Sequence, residues 1–165
     1  MAKIILLCGK IGSGKSTYAD KIKQKYNAVI LSCDEIMLEL FDEQLGDNHR
    51  TILQKVENYL YQLAEQVVKA NTNVILDFGF WSRSERHKVR LSYADKGIET
   101  ELHYVRVSSE VWLHNIEERN KNRQNEKRKC YYVDENMMQL FSAQLEEPEN
   151  NEIDVLFDNS PKDWR

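Results

Sequence analysis

Nine residues near the amino end, GKIGSGKST from Gly9 to Thr17, constrain this chain more than any other stretch. They follow the apolar run Ile4-Ile5-Leu6-Leu7-Cys8 and precede a helical apolar pattern at Tyr18, Ala19, Ile22 and Tyr26. The spacing is G-x-x-x-x-G-K-[ST], with Gly9, Gly14, Lys15 and Ser16 in the fixed places. Glycines permit a left-handed backbone, so consecutive N–H groups turn inward around an anion. The helix that starts here adds unpaired N–H groups and the positive end of its dipole. Gly9, Lys10, Ile11, Gly12, Ser13, Gly14, Lys15, Ser16 and Thr17 thus read as a nucleotide-binding loop. Lys15 is the cation for β- and γ-phosphates, and the Ser16 hydroxyl is an oxygen ligand for Mg²⁺. A dinucleotide loop, G-x-G-x-x-G from Gly12 and Gly14, fails at Thr17.

The rest of the chain alternates short apolar runs with helical patterns. Strands are expected at Lys3–Cys8, Ala28–Ser32, Asn73–Asp77, Glu99–Val107 and Asp154–Phe157. Helices are expected at Lys15–Tyr26, Asp34–Phe41, Thr51–Ala70, Arg83–Lys96, Glu110–Asn122 and Asp134–Leu145, with Ser82 and Glu85 as a capping box. This alternation predicts βαβ units and a mainly parallel sheet covered on both faces. With 165 residues and no repeat or linker, residues 1–165 are expected to form a single domain. Ligands of such sheets bind beyond the carboxyl ends of the strands, so residues just after strands deserve scrutiny.

Two acids stand there. Asp34 follows the second strand, beside the phosphate loop, where a carboxylate can accept the proton of an attacking hydroxyl; a helix cap by Ser32 or Asp34 is the structural alternative. Asp77 ends NVILD, the Walker-B arrangement in which a carboxylate orients Mg²⁺. Asp77-Phe78-Gly79 also spells the DFG of protein kinases, but no HRD catalytic loop accompanies it. Phe78, Phe80 and Trp81 either wall an acceptor pocket or pack the next helix on the sheet.

Arg119 to Lys129 reads RNKNRQNEKRK, with six basic residues and one acidic. It falls where phosphoryl-transfer enzymes carry a lid, and the lid region is expected at about 119–133. Arg119 and Arg123 are four apart and share a helix face. Their guanidinium groups can clamp phosphate oxygens and offset transition-state charge. Lys127, Arg128 and Lys129 have the looser role of screening the triphosphate or meeting an anionic acceptor.

A formal charge of −4 gives no overall basic field for nucleic acid. Cys8, Cys33 and Cys130 lack metal-binding spacing and read as reduced thiols of a cytoplasmic protein. The four histidines show no ligand spacing either. The first apolar run is too short to span a membrane.

These residues resemble the small P-loop kinases that include polynucleotide 5′-hydroxyl kinase domains, chloramphenicol phosphotransferase and zeta-toxin-type kinases. The likeness rests on GKIGSGKST, LSCDE, NVILDFGFWSRSER, the arginines at 119 and 123, and FSAQLEEPENNE before the last strand. It implies an adenylate-kinase-like five-stranded parallel sheet with an Arg-rich lid. It also implies ATP and Mg²⁺ as donor, a hydroxyl acceptor, and Asp34 in the place of the general base. Many such kinases carry an arginine three residues after that acid, where this chain has Met37. A small-molecule or nucleoside-like acceptor is therefore expected ahead of a polynucleotide, with no membrane partner. The rival of another class is a nucleotide switch with slow hydrolysis. The guanine motif N-K-x-D would need an acid where Asn120-Lys121-Asn122-Arg123 ends in arginine.

Overall fold

The computed structural model describes residues 1–41, 45–122 and 130–160. Five strands form one parallel sheet in the order β2-β3-β1-β4-β5. They are β1 (Ile4–Cys8), β2 (Ala28–Ser32), β3 (Asn73–Gly79), β4 (Thr100–Arg106) and β5 (Val155–Asp158). The helices are α1 (Lys15–Ile22), α2 (Cys33–Leu40), α3 (His49–Lys69), α4 (Arg83–Ala94), α5 (Ser109–Asn122) and α6 (Glu135–Gln144), with a single 3₁₀ turn at Gly46–Asn48. This is the expected P-loop kinase sheet with helices on both faces. Arg123, Lys127, Arg128 and Lys129 lie outside the described residues, as does all of 123–129 in the expected lid region.

The apolar run of β1 is continuous because this strand is central and covered on both sides. All five of its residues are fully buried. Ile4, Leu6 and Cys8 face a core made by Leu60, Ala64 and Val68 of α3 and Val89 and Tyr93 of α4. Ile5 and Leu7 face the opposite way, onto Tyr18, Ala19 and Ile22 of α1. A third cluster, Trp112 and Ile116 of α5 with Val133, packs Ile11 of the phosphate loop and Met137 of α6.

Differences from the sequence reading are local. The first helix stops at Ile22, and the chain reaches β2 through Asn27 at a positive φ of 47°. The third strand runs two residues past Asp77, and the pairing with β1 slips there: Leu6 faces Leu76 but Cys8 faces Gly79. One extra residue on β3 makes a bulge beside the phosphate loop. Ser82 caps α4, accepting a hydrogen bond from the Glu85 N–H at 3.1 Å. Among the described residues no helix is long and apolar enough to cross a membrane.

One buried cation holds the sheet's two ends of sequence together. Arg86 of α4 is 1% exposed. Its Nε and Nη2 donate to the two carboxylate oxygens of Glu152 at 3.0 and 3.1 Å. Its Nη1 donates to the carbonyls of Phe80 at 3.2 Å and Glu146 at 2.9 Å. The guanidinium so ties the β3–α4 turn to the segment that precedes β5. Arg90 continues the seam with the Glu152 carbonyl at 2.9 Å and Asp154 at 3.0 Å.

Removing one partner of a buried pair leaves an unpaired charge and costs about 3–5 kcal/mol. Glu152→Gln should therefore lower stability by roughly 3 kcal/mol, since Arg86 keeps its carbonyl acceptors. Urea unfolding checks this. Stability within about 0.5 kcal/mol of the parent, the range of ordinary surface changes, would show that the seam is incidental.

Candidate active site

The carboxyl ends of β1, β2 and β3 open into a cleft of about 1440 Å³. Its lining includes Gly12, Gly14, Lys15, Ser16 and Thr17 of the loop, Asp34, Asp77 and Arg119. The cleft thus gathers every described residue for which the sequence suggested catalysis or metal binding.

Local geometry explains the loop's shape. Gly14 caps α1 at φ 95°, and a Cβ there would stand 2.6 Å from Asn159 Nδ2. At Gly12 a Cβ would stand 2.5 Å from Ile116 Cδ1. Both places need glycine for conformation and for space. The loop's carbonyls are engaged by donors from three other elements. Trp81 Nε1 donates to Gly9 O at 3.1 Å, and Trp112 Nε1 donates to Ile11 O at 2.7 Å. Asn115 Nδ2 donates to Gly12 O at 3.0 Å, and Asn159 Nδ2 donates to Ser13 O at 2.9 Å. Gly9 and Ser13 donate their N–H groups to the carbonyls of Gly79 at 3.2 Å and Lys10 at 3.1 Å, and the other loop N–H groups are left for an anion. Lys10 lies over the Trp112 ring at 4.9 Å, and Ser13 is fully buried.

Lys15 Nζ donates to the carbonyls of Gly9 at 2.9 Å and Lys10 at 2.7 Å. Burial pushes its pKa down, while the carboxylates of Asp77 and Asp34 push it up. The Ser16 hydroxyl donates to Asp77 Oδ2 at 2.7 Å. Two hard oxygens side by side fit Mg²⁺, which takes one or two protein oxygens beside phosphates and keeps its remaining waters.

Asp34 is not the helix cap. Ser32 caps α2, accepting from the Glu35 N–H at 3.3 Å, so the Asp34 carboxylate is free of that duty. Ser32 pairs with Asp77 across β2 and β3, which brings the two acids to neighbouring strand ends. The surrounding cleft walls push the Asp34 pKa up first, and the negative charge of Asp77 adds to this; Lys15, Arg119 and His49 pull it back. Asp34 keeps open surface in the cleft, so solvent tempers the shift.

Arg119 lies near the end of α5 and lines the cleft, and its buried Nε has no hydrogen-bond partner among the described residues. The Arg123 half of the expected clamp is outside the described residues. Trp81 both lines the cleft and bonds the loop, and it packs on Phe141 at 4.9 Å. Phe78 and Phe80 stack at 5.7 Å and line the cleft, with Phe80 fully buried in the core. Sequence reasoning missed Trp112 and Asn115. They lie within α5, away from any strand end, and their signal was a polar stripe Asn115–Arg119 at four-residue spacing. Asn159 was noticed only by position. All three cysteines are free, and burial raises the Cys8 thiol to about 11.

Trp112→Phe keeps the ring but leaves the Ile11 carbonyl without its donor, a loss of about 1–3 kcal/mol for a buried acceptor. Amides of residues 9–14 should then exchange hydrogen faster while the sheet amides do not. Unchanged exchange in the loop would mean that it holds its own shape.

Residues 4–148 match the family model described as an AAA domain. No curated protein matches the chain. Among solved structures the chain is similar to a member of the Pnkp1/Rnl/Hen1 RNA repair complex, at 18% identity and TM-score 0.68, over 87% of this chain and 44% of that one. It is similar to a gluconokinase from Sinorhizobium meliloti, at 20% identity and TM-score 0.62, over 94% and 82%. It is also similar to the Mycobacterium tuberculosis APS kinase in complex with AMPPNP and APS, at 15% identity and TM-score 0.59, over 96% and 88%. Such identities speak for the fold. With the family model spanning residues 4–148, the chain belongs to the AAA-domain family, and the solved structures share its fold.

Proposed function

We propose that this protein is a phosphotransferase that moves the γ-phosphoryl group of ATP to a hydroxyl of a small-molecule or nucleoside-like acceptor. The observation that carries the reading is the position of Asp34: a carboxylate released from capping, in one cleft with Lys15, Asp77 and Arg119. A carboxylate with a raised pKa suits general base work. Its acceptor hydroxyl gives up a proton to Asp34, its oxygen bonds to the γ-phosphorus, and the bond to the β–γ bridging oxygen breaks. ADP leaves with that electron pair. The loop N–H groups left for an anion, together with Lys15, hold the phosphates. Arg119, with an unsatisfied buried Nε, supports a role in offsetting charge on the transferred group. Ser16 and Asp77 would hold Mg²⁺, which when bound neutralises phosphate charge. Three free thiols are in keeping with a reducing, cytoplasmic setting.

The second reading is a polynucleotide 5′-hydroxyl kinase, favoured by the likeness to the RNA repair complex. Against it, Met37 is 1% exposed and brings no cation to the cleft. A nucleotide switch differs from both in needing no acceptor. ATP consumption measured with and without a panel of hydroxyl compounds, nucleosides and 5′-hydroxyl oligonucleotides separates the three.

Asp34→Asn keeps size but removes the proton acceptor. Transfer should fall by roughly 10²–10⁴-fold with ATP affinity and melting temperature retained. The deprotonated form is the active one, and the folded-state pKa is raised. Activity should therefore fall as pH drops through a value above the ordinary carboxylate pKa of about 3.9, and Asp34→Asn should lose that acid limb. Normal transfer in this variant would move the base elsewhere.

For Arg119, replacement by Ala should lower kcat more than it raises the KM for ATP, the sign of an interaction made in the transition state. Arg119→Lys should rescue only in part, because an ammonium lacks the two-point fork. Normal turnover in Arg119→Ala would leave this arginine a solvated side chain.

A further inference from the structure

Trp81 is held in place by more than its bond to the phosphate loop. Its carbonyl accepts from Arg86 Nη1 at 3.3 Å and from the Glu146 N–H at 2.9 Å. Its ring lies against Gly79, where a Cβ would stand 2.7 Å from Nε1 and 3.2 Å from Cδ1, and packs on Phe141 of α6 at 4.9 Å. The turn that delivers it has two successive residues at positive φ, Gly79 at 95° and Phe80 at 47°. A bulky residue such as Phe80 is held there at a cost, and strain of this kind collects at ligand sites.

Capping Gly9 does not by itself call for an indole. The carbonyls of Gly12 and Ser13 take their donors from amides, those of Asn115 and Asn159. The other indole donor, Trp112, is 8% exposed and buries its ring beside Ile116 and Val133. Trp81 is only partly buried, and it lines the cleft. It does so beside the chemistry. Gly9 O accepts both Trp81 Nε1 at 3.1 Å and Lys15 Nζ at 2.9 Å, so indole and ammonium meet at one oxygen. Phe78, next after Asp77, lines the same cleft, as does Tyr131, edge-on to His49 at 6.1 Å. His49 in turn is near enough to Asp34 for its charge to act there. The described lining residues from α2, α3, β3, α4 and α6 include no lysine, arginine, asparagine or glutamine. A polyol placed among them finds few donors for its many oxygens.

Resting on the phosphotransferase reading above, we infer that the hydroxyl acceptor carries a flat aromatic ring, and that this ring stacks on the Trp81 indole. Contact between π-faces adds to simple area burial, and a rigid indole supplies it at little entropic cost. Because the indole is fixed to Gly9, a ring resting on it is placed relative to Lys15 and to Asp34.

The test uses the full chain loaded with ADP and Mg²⁺, with acceptor binding read by calorimetry. One matched pair is 1-phenyl-1,2-ethanediol against 1-cyclohexyl-1,2-ethanediol. The other is uridine against methyl β-D-ribofuranoside, and glucose and gluconate form the polyol arm. In at least one pair the aromatic member should bind roughly five- to tenfold tighter. Which pair shows it tells an aryl acceptor from a nucleobase one. Trp81→Phe and Trp81→Leu both remove the bond to Gly9, but only the first keeps a ring. The preference should remain in Trp81→Phe and vanish in Trp81→Leu, with ADP affinity equal in the two. Parity in both pairs in the parent protein, which includes no binding at all, overturns the inference. So does a preference that the two variants keep alike or lose alike, or tighter binding of glucose or gluconate than of both aromatic probes. An ADP affinity lower in Trp81→Leu than in Trp81→Phe would put the nucleotide's own base on the indole, and overturns it too. Aromatic preference without phosphorylation from ATP would instead sink the phosphotransferase reading and leave the ring site, so the two failures are distinct.

Discussion

A loop that cradles an anion with its N–H groups must turn its carbonyls away, and the rest of this structure is arranged around satisfying them. Four loop carbonyls take side-chain donors from outside: Gly9 from Trp81, Ile11 from Trp112, Gly12 from Asn115 and Ser13 from Asn159. Those donors come from the turn after β3, from α5 and from the end of β5. Each is in place only because its element packs on the sheet or on a neighbouring helix. The concave geometry expected of the nine-residue motif is thus completed by residues up to 146 positions away in sequence. A phosphate loop in isolation would have carbonyls free to turn inward.

The same dependence explains the buried arginine. Trp81 can reach Gly9 only if the β3–α4 turn is fixed, and that turn contains Phe80 at an unusual φ of 47°. Arg86 bonds the carbonyls of both Phe80 and Trp81 while its other face holds Glu152. One guanidinium therefore couples the turn that supports the loop to the segment leading into β5, whose end supplies Asn159. Burying a charge is unfavourable in itself, and five donors spread over a carboxylate and several carbonyls offset most of that cost.

Much of this was legible in the sequence for a physical reason. The buried parallel strands leave continuous apolar runs, and the phosphate loop has fixed glycines because Gly14 opens α1 at a left-handed φ of 95° and a Cβ at Gly9 would stand 2.7 Å from the Val105 carbonyl oxygen. Asp34 and Asp77 were found because strand ends are where side chains meet a ligand. What stayed hidden depends on contacts made across the fold. Trp112 and Asn115 sit mid-helix and look like any amphipathic surface until α5 is docked on the loop. The extent of β3 was underestimated because a bulge, which no periodicity announces, carries the strand past Asp77.

The two acids at the adjoining ends of β2 and β3 show how environment separates like side chains. The Asp77 carboxylate accepts the Ser16 hydroxyl and is 9% exposed, so its lone pairs are already directed at the place where a cation beside the phosphates would sit. Asp34 could have been absorbed as the cap of α2, but Ser32, two residues earlier, takes that bond. The carboxylate is then left without a backbone donor to stabilise its charge. The cleft wall and Asp77 raise its affinity for a proton, and Lys15, Arg119 and His49 oppose that rise. A carboxylate whose affinity for a proton is raised is better suited to taking one, as the proposed transfer requires. Ser32 therefore bears on the proposed chemistry: by doing the capping, it leaves the Asp34 carboxylate free for the base role proposed above.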